Sequence, residues 1–208
     1  VFEQVNEENR FAFDQRCRVR AVELAAQLGM QTRLSINFMP NAVYEPTRCL
    51  RTTIDAALRT NFPIGNIIFE TIENERVQDH AFLKKIFETY RAEGFKTAID
   101  DFGAGYANLG LLADFQPDFV KLDRDLMRNI DGDSARRAIV GTMSALGNLL
   151  GVCIIAEGIE QPAEAYVLRR LGISLMQGYL FAKPGFETLP TVDFNALVPA
   201  IEAYAGAA

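Results

Sequence analysis

The residues best suited to chemistry in this sequence are carboxylates placed where apolar runs end. Asp100-Asp101-Phe102-Gly103 closes the run Phe95 to Ile99, so two acids meet at the end of a predicted strand. Neighbours on a strand point to opposite faces, and both acids reach one site only if the chain turns at Asp101, which Gly103 and Gly105 make feasible. An Asx-type turn with a helix cap is the ordinary alternative. Glu70 lies among Ile67, Ile68, Phe69 and Ile72, and Asn37 lies between Ile36 and Phe38. A carboxylate and an amide in strand cores are costly unless paired or bound to a cation. A hydrogen-bond network meets that cost for either residue alone. With Asp100, Asp101 and Glu157 also at strand ends, metal ligation is the reading favoured here. Oxygen donors without clustered His or thiolate suit Mg²⁺ or Mn²⁺ and argue against zinc.

Lys121 sits in Phe119-Val120-Lys121-Leu122-Asp123, a run too apolar to hide an ammonium without partners. Aimed into a carboxylate-rich rim it stays charged and can hold a water nucleophile or a phosphate oxygen; a salt bridge to Asp123 or Glu157 is compatible with this. His80, the single histidine, falls on a predicted helix start and reads as a surface residue, which excludes Ser-His-Asp and Cys-His mechanisms. Gly103-Ala104-Gly105-Tyr106 lacks dinucleotide and P-loop spacing and is expected to form a flexible loop over the site. The charged stretch Lys121 to Arg137 reads as a solvated surface.

Helix and strand patterns alternate around these residues. From Asp14, the positions Cys17, Ala21, Leu24, Ala25 and Leu28 recur at helical spacing, with Gly29 as the C-terminal cap. The predicted order then runs strand 34–38, helix 47–59, strand 66–72, helix from Asp79 to Gly94, strand 96–100, short helix 109–115, strand 118–122, helix 134–150, strand 152–156, helix from Pro162 to Gly172, strand 174–179 and helix 194–204. Such alternation predicts an α/β domain with a mainly parallel sheet. Asn37, Glu70, Asp100, Lys121, Glu157 and Gln177 fall at or near the C-terminal ends of six different strands. A barrel builds its active site from that rim, whereas an open sheet concentrates ligand residues at one switch point. A barrel is therefore expected, with two of the usual eight strands missing or upstream of Val1.

Composition bounds the partners. The 208 residues are 49% hydrophobic and 23% charged, which suits a single folded domain over residues 1–208. The net charge of −6 and the lack of a basic cluster argue against binding DNA or RNA polymers. Cys17, Cys49 and Cys153 read as small core residues in a reducing compartment, so the cytoplasm is expected. The chain begins with Val1 and shows no signal-peptide pattern, and upstream sequence is expected. The uncharged stretch Ala138 to Ala156 is divided by Gly151 and interrupted by polar residues, so membrane insertion is not expected.

These motifs together resemble a known family. Asn37, Phe69-Glu70-Thr71-Ile72-Glu73, Asp100 to Tyr106, Lys121-Leu122-Asp123, Ala156-Glu157-Gly158-Ile159-Glu160 and Gln177-Gly178-Tyr179-Leu180-Phe181, in that order, resemble the EAL family of bacterial cyclic di-GMP phosphodiesterases. The resemblance runs from the first helix to about Pro184. It implies a modified (β/α)₈ TIM-like barrel with one antiparallel strand, incomplete here at its N-terminus. It also implies hydrolysis of cyclic di-GMP to linear pGpG with two Mg²⁺ or Mn²⁺ ions. By position, Asn37, Glu70, Asp100 and Asp101 would bind metal, Lys121 would orient the attacking water, and Glu157 would be the general base or its helper. Gln177, Glu160 and Asp123 would support substrate and ligands, and Glu73 would anchor the loop from Asp101 to Tyr106.

The departures from the family pattern also carry expectations. The Glu-Ala-Leu motif that names the family is absent, and Glu23-Leu24-Ala25 lies in a helix and does not replace it. The motif is expected upstream of Val1, and the 208 residues alone are expected to have little activity. Ser35 to Tyr44 resembles EAL domains joined to blue-light flavin sensors, and an upstream sensor domain is expected. Exposed strand edges of an incomplete barrel would favour a homodimer or other self-association. A receptor that binds cyclic di-GMP without cutting it and a protein-interaction module are the alternatives. The retained acids disfavour the latter.

Overall fold

The computed structural model describes residues 4–6, 8–72, 80–104 and 109–197. Helices and strands alternate, and six strands follow chain order through one sheet: β1 (Leu34–Asn37), β2 (Ile67–Ile72), β3 (Lys96–Phe102), β4 (Phe119–Leu122), β5 (Cys153–Ala156) and β6 (Leu175–Met176). The expected α/β class is present. The chain divides into two compact units, Val1–Ala98 with Leu109–Pro117, and Ile99–Asn108 with Asp118–Ala208.

In the first unit β1 and β2 pair in parallel, with Ile36 opposite Phe69 and Asn37 opposite Glu70. Three helices accompany them: α1 (Arg10–Gln27), α2 (Pro46–Thr60) and α3 (His80–Ala92). A short helix, α4 (Leu109–Asp114), completes the unit. Glu45 caps α2 by accepting the N–H groups of Thr47 and Arg48, and Pro46 occupies the first turn, where its missing N–H costs nothing. The buried face of α3 is Leu83, Ile86, Phe87 and Tyr90, with Phe82 half-buried beside it.

The face of α1 differs from expectation. Its buried residues are Asp14, Gln15, Arg18, Val22 and Ala25, while Cys17 is exposed and Leu24 and Leu28 are half-buried. Periodicity in apolar residues missed this face because its centre is an ion pair, Arg18 Nη2 to Asp14 Oδ2 at 2.6 Å, enclosed by aromatic rings. The Arg18 guanidinium lies 5.0 Å from the Phe69 ring centroid and 5.5 Å from that of Phe38, and donates to the Tyr90 hydroxyl at 3.0 Å. Of the three free cysteines only Cys49 is buried; Cys17 and Cys153 are exposed, which corrects their reading as core residues.

In the second unit β4, β5 and β6 pair in parallel, with Leu122 opposite Ala156 and Ala156 opposite Met176. Its helices are α5 (Arg124–Met127), α6 (Ser134–Leu150) and α7 (Pro162–Arg170). The stretch read as a solvated surface contains α5, and its Met127 and Ile130 are fully buried, so its charges lie on one side of a packed turn. Gly151, in the left-handed region at φ +70°, ends α6 where the uncharged stretch was expected to divide. No helix among the described residues is long and apolar enough to cross a membrane. β6 is shorter than the expected 174–179, and of the expected last helix only a single turn, Phe194–Leu197, lies within the described residues. Glu73, Gly105 and Tyr106 lie outside them.

Helix α6 meets β5 at Gly147. A Cβ there would stand 2.8 Å from the Val152 carbonyl oxygen and 2.8 Å from Ile154 Cγ1. Alanine gains about 1 kcal/mol of helix propensity, but overpacking against backbone costs about 1–3 kcal/mol. Gly147→Ala is therefore expected to lower stability by about 1 kcal/mol in a denaturant titration; a rise in midpoint would show that β5 moves freely.

Candidate active site

The site of the second unit grows from the ends of four strands, β3 to β6. In a parallel pair, side chains level with one another share a face, and the face repeats every second residue. Lys121 is level with Ile155, two residues before Glu157, and the register that sets Ala156 opposite Met176 brings Glu157 level with Gln177. Lys121, Glu157 and Gln177 therefore share a face. Backbone bonds carry the alignment past the strand ends: Glu157 N–H donates to Leu122 O at 3.2 Å, Gln177 N–H to Ala156 O at 2.9 Å, and Asp123 N–H to Phe102 O at 3.2 Å.

At the end of β3 the chain makes the turn that the two acids require. Asp101 is in the left-handed region at φ +52°, rare for a residue with a Cβ, and Gly103 follows at φ +96°. The Asp101 N–H donates to Asp100 Oδ1 at 2.9 Å. Released from strict alternation, Asp100, Asp101 and Glu157 each bring a carboxylate oxygen into a cluster whose atoms lie within 4.8 Å of one another.

Lys121 joins this cluster. Its ammonium stands 2.9 Å from Asp100 Oδ1 and 2.8 Å from Glu157 Oε1, and the Gln177 amide donates to the same Glu157 oxygen. The lysine is 6% exposed and Glu157 9%, so these charges interact with little solvent screening. Three ionised carboxylates against one ammonium leave two negative charges uncompensated. Burial pushes the Glu157 carboxyl up from 4.5 to about 7, opposed by its hydrogen bond and ionic attraction to Lys121 and assisted by the Asp100 charge. Burial, with the charges of Asp100 and Asp123, also raises Asp101. A cluster of hard oxygen donors with unbalanced negative charge fits a divalent cation of the Mg²⁺ or Mn²⁺ kind.

The other expected site residues fall into two groups. In the first unit Asn37 and Glu70 are register partners on one sheet face. Glu70 is buried, but Asn37 is exposed, which corrects the placement of its amide in a strand core: β1 ends at Asn37, where water reaches the side chain. In the second unit Asp123 caps α5 by accepting the Asp125 N–H at 2.8 Å, and Glu160 is exposed.

Sequence reasoning missed Glu164. This buried carboxylate accepts the backbone N–H groups of Glu160, Gln161 and Asn129, each at 3.1 Å, and so pins the segment after Glu157. The signal was available: Gln161, Pro162 and Glu164 form a capping box with proline in the first turn. Also missed was a cavity of about 500 Å³ beside Gln177, lined by Arg124, Glu160, Tyr179 and Lys183 among others. Its wall is close-packed: a Cβ on Gly178 would overlap the Ile159 carbonyl oxygen at 2.1 Å.

The EAL domain profile matches residues 6–184 of this sequence. The chain belongs to the EAL domain family. It is 53% identical to a standalone versatile EAL protein from Vibrio cholerae O395, solved in its c-di-GMP bound form, with a TM-score of 0.90 over 94% of this chain and 82% of that one. It is 33% identical to Klebsiella pneumoniae BlrP1 in a manganese/cy-diGMP complex, with a TM-score of 0.84 over 92% of this chain and 50% of that one. Among curated proteins it is 33% identical over 160 residues to the Pseudomonas aeruginosa cyclic di-GMP phosphodiesterase RocR. That match takes in 76% of this chain but 40% of RocR, so the chain spans less than half of that relative.

The raised Glu157 carboxyl makes stability depend on pH. The folded protein holds this proton more tightly than the unfolded chain, so the contribution is complete below about 4.5 and is lost as pH rises through about 7. Thermal midpoints of the metal-free protein should fall between pH 5 and pH 8, and Mn²⁺ should raise the midpoint most at the alkaline end. A midpoint that stays level across this window without metal would contradict the assignment.

Proposed function

We propose that this chain is the catalytic domain of a cyclic di-GMP phosphodiesterase, which opens the cyclic dinucleotide to linear pGpG. One observation carries the reading: a negatively unbalanced group of Asp100, Asp101 and Glu157, of which Asp100 and Glu157 are buried and held by the Lys121 ammonium. Family membership and the ligands named for the Vibrio and Klebsiella structures support it. The profile match, which runs across both compact units, supports treating residues 1–208 as one EAL-type domain.

In this reading Asn37, Glu70, Asp100 and Asp101 are the metal ligands. Two divalent cations bound there would lower the pKa of water and offset phosphate charge. Glu157, with its carboxyl near neutrality, accepts the proton of the attacking water. Lys121 orients that water through its ammonium while keeping Asp100 and Glu157 in place. As the water oxygen bonds to phosphorus, one ester P–O bond breaks, the departing ribose oxygen takes up a proton from solvent, and the ring opens. Gln177 fixes the rotamer of Glu157, and Glu160 and Asp123 support the substrate side. Arg124, Lys183 and the Tyr179 ring give the adjacent cavity the positive charge and aromatic surface that a guanine dinucleotide needs.

The wider setting is part of the same proposal. The domain works in the cytoplasm, supported by three free thiols, and under an upstream sensor domain. Self-association is supported by Ile139 and Leu149 on α6, which are 50% and 85% exposed.

The full protein carrying this chain, incubated with cyclic di-GMP and Mn²⁺, should yield pGpG by chromatography. Glu157→Gln should lower kcat by at least about 100-fold, the usual scale of a lost general base, with nucleotide affinity little changed. Binding without product in the parent protein would favour a receptor, and undiminished turnover in the variant would remove Glu157 from its role.

A further inference from the structure

We propose that the buried Asp14–Arg18 ion pair of α1 is a positioning device for the Asn37–Glu70 pair, acting from the opposite face of the sheet. The inference rests on the reading of Asn37 and Glu70 as metal ligands. The two residues are register partners, and each is followed or preceded by a phenylalanine on the other face: Phe38 directly after Asn37, Phe69 directly before Glu70. Arg18 packs on both of those rings, 5.5 Å from the centroid of Phe38 and 5.0 Å from that of Phe69. Asp14 completes the grip on the backbone: its Oδ2 holds the guanidinium at 2.6 Å, and its Oδ1 accepts the Met39 N–H at 3.2 Å. The chain is thus fastened one and two residues beyond Asn37, while Phe38 N–H donates to the Glu70 carbonyl at 3.0 Å and locks the two strand ends together.

Stability gives no reason to keep such a pair. Arg18 and Asp14 are 0% and 3% exposed, and a buried ion pair can usually be exchanged for apolar residues of similar size with neutral or favourable effect. Geometry gives the reason. A planar guanidinium locked between rings and fixed by an acid and a hydroxyl permits one arrangement of Phe38 and Phe69, whereas methionine or leucine permits several. Asn37 is exposed at the last position of β1, so the aim of its side chain depends on how Phe38 and Met39 beyond it are held.

The test is Mn²⁺ affinity, followed by electron paramagnetic resonance of the protein without nucleotide, together with the thermal midpoint. Asp14→Leu/Arg18→Met should keep or raise the midpoint yet weaken Mn²⁺ binding about tenfold, the scale found when the supports of metal ligands are removed. A purely structural pair predicts unchanged affinity at an unchanged midpoint, and that result overturns the proposal. Glu70→Gln and Asn37→Ala serve as controls. If both weaken Mn²⁺ binding while the double variant binds normally, positioning fails and the ligand reading stands; if neither weakens it, the ligand reading fails and takes this proposal with it. Should the double variant not fold, Arg18→Lys keeps the charge beside Asp14 but lacks the planar fork, and the same two outcomes decide the matter.

Discussion

The second unit is organised by one constraint: Asp100 and Glu157 come within reach of each other in a place with little water, so a cation must stand between them. Two unit charges 4 Å apart interact by about 4 kcal/mol at an effective dielectric of about 20. Left unbalanced, repulsion of that size would force the strand ends apart or neutralise an acid. Lys121, 2.9 and 2.8 Å from the two carboxylates, prevents this. It reaches them because β4 pairs in parallel with β5 in a register that puts Lys121 and Glu157 on one face. The balance remains incomplete once Asp101 joins, and burial, assisted by the Asp100 charge, lifts the Glu157 carboxyl to about 7. A bound divalent cation and that proton compete for the same charge deficit, so occupancy of the site and the ionisation of Glu157 are coupled.

Much of this was legible in the sequence because strand residues obey a short period and acids in apolar runs stand out. Glu70, Asp100, Lys121 and Glu157 were identified from their neighbours, and the need for a turn at Asp101 followed from alternation alone. Asn37 was placed on the right strand with the wrong surroundings. Its apolar neighbours suggested a core position, but the strand stops at that residue, and strand ends are set by tertiary pairing, which local sequence does not encode.

The misreadings in α1 have a different origin. Apolar periodicity finds helix faces buried among like residues, and it points to the stripe Cys17, Ala21, Leu24, Ala25 and Leu28, of which only Ala25 is buried. The true face presents Asp14, Gln15 and Arg18 to the interior. Charged residues are seldom buried, so the pattern was read with the wrong sign. What overrides the rule is a set of aromatic rings, Phe38, Phe69 and Tyr90, contributed by segments remote in sequence that only the folded chain assembles. Glu164 escaped notice for a related reason: its partners are backbone N–H groups, which any sequence supplies.

The two units thus each bury a cation, and the choice of residue suits what surrounds it. Arg18 is held by the Asp14 carboxylate, the Tyr90 hydroxyl and neighbouring rings, an arrangement that a guanidinium tolerates because it is weakly hydrated and permanently charged. Nothing about that position calls for movement. Lys121 carries a compact charge on a flexible stem, and its three donors can be redistributed as the groups around it change charge. A guanidinium there would impose its own planar geometry on Asp100 and Glu157 and could not follow a proton arriving on one of them. Arginine therefore stands where rings and a strand end must keep one arrangement, and lysine stands beside Glu157, whose carboxyl is raised to about 7.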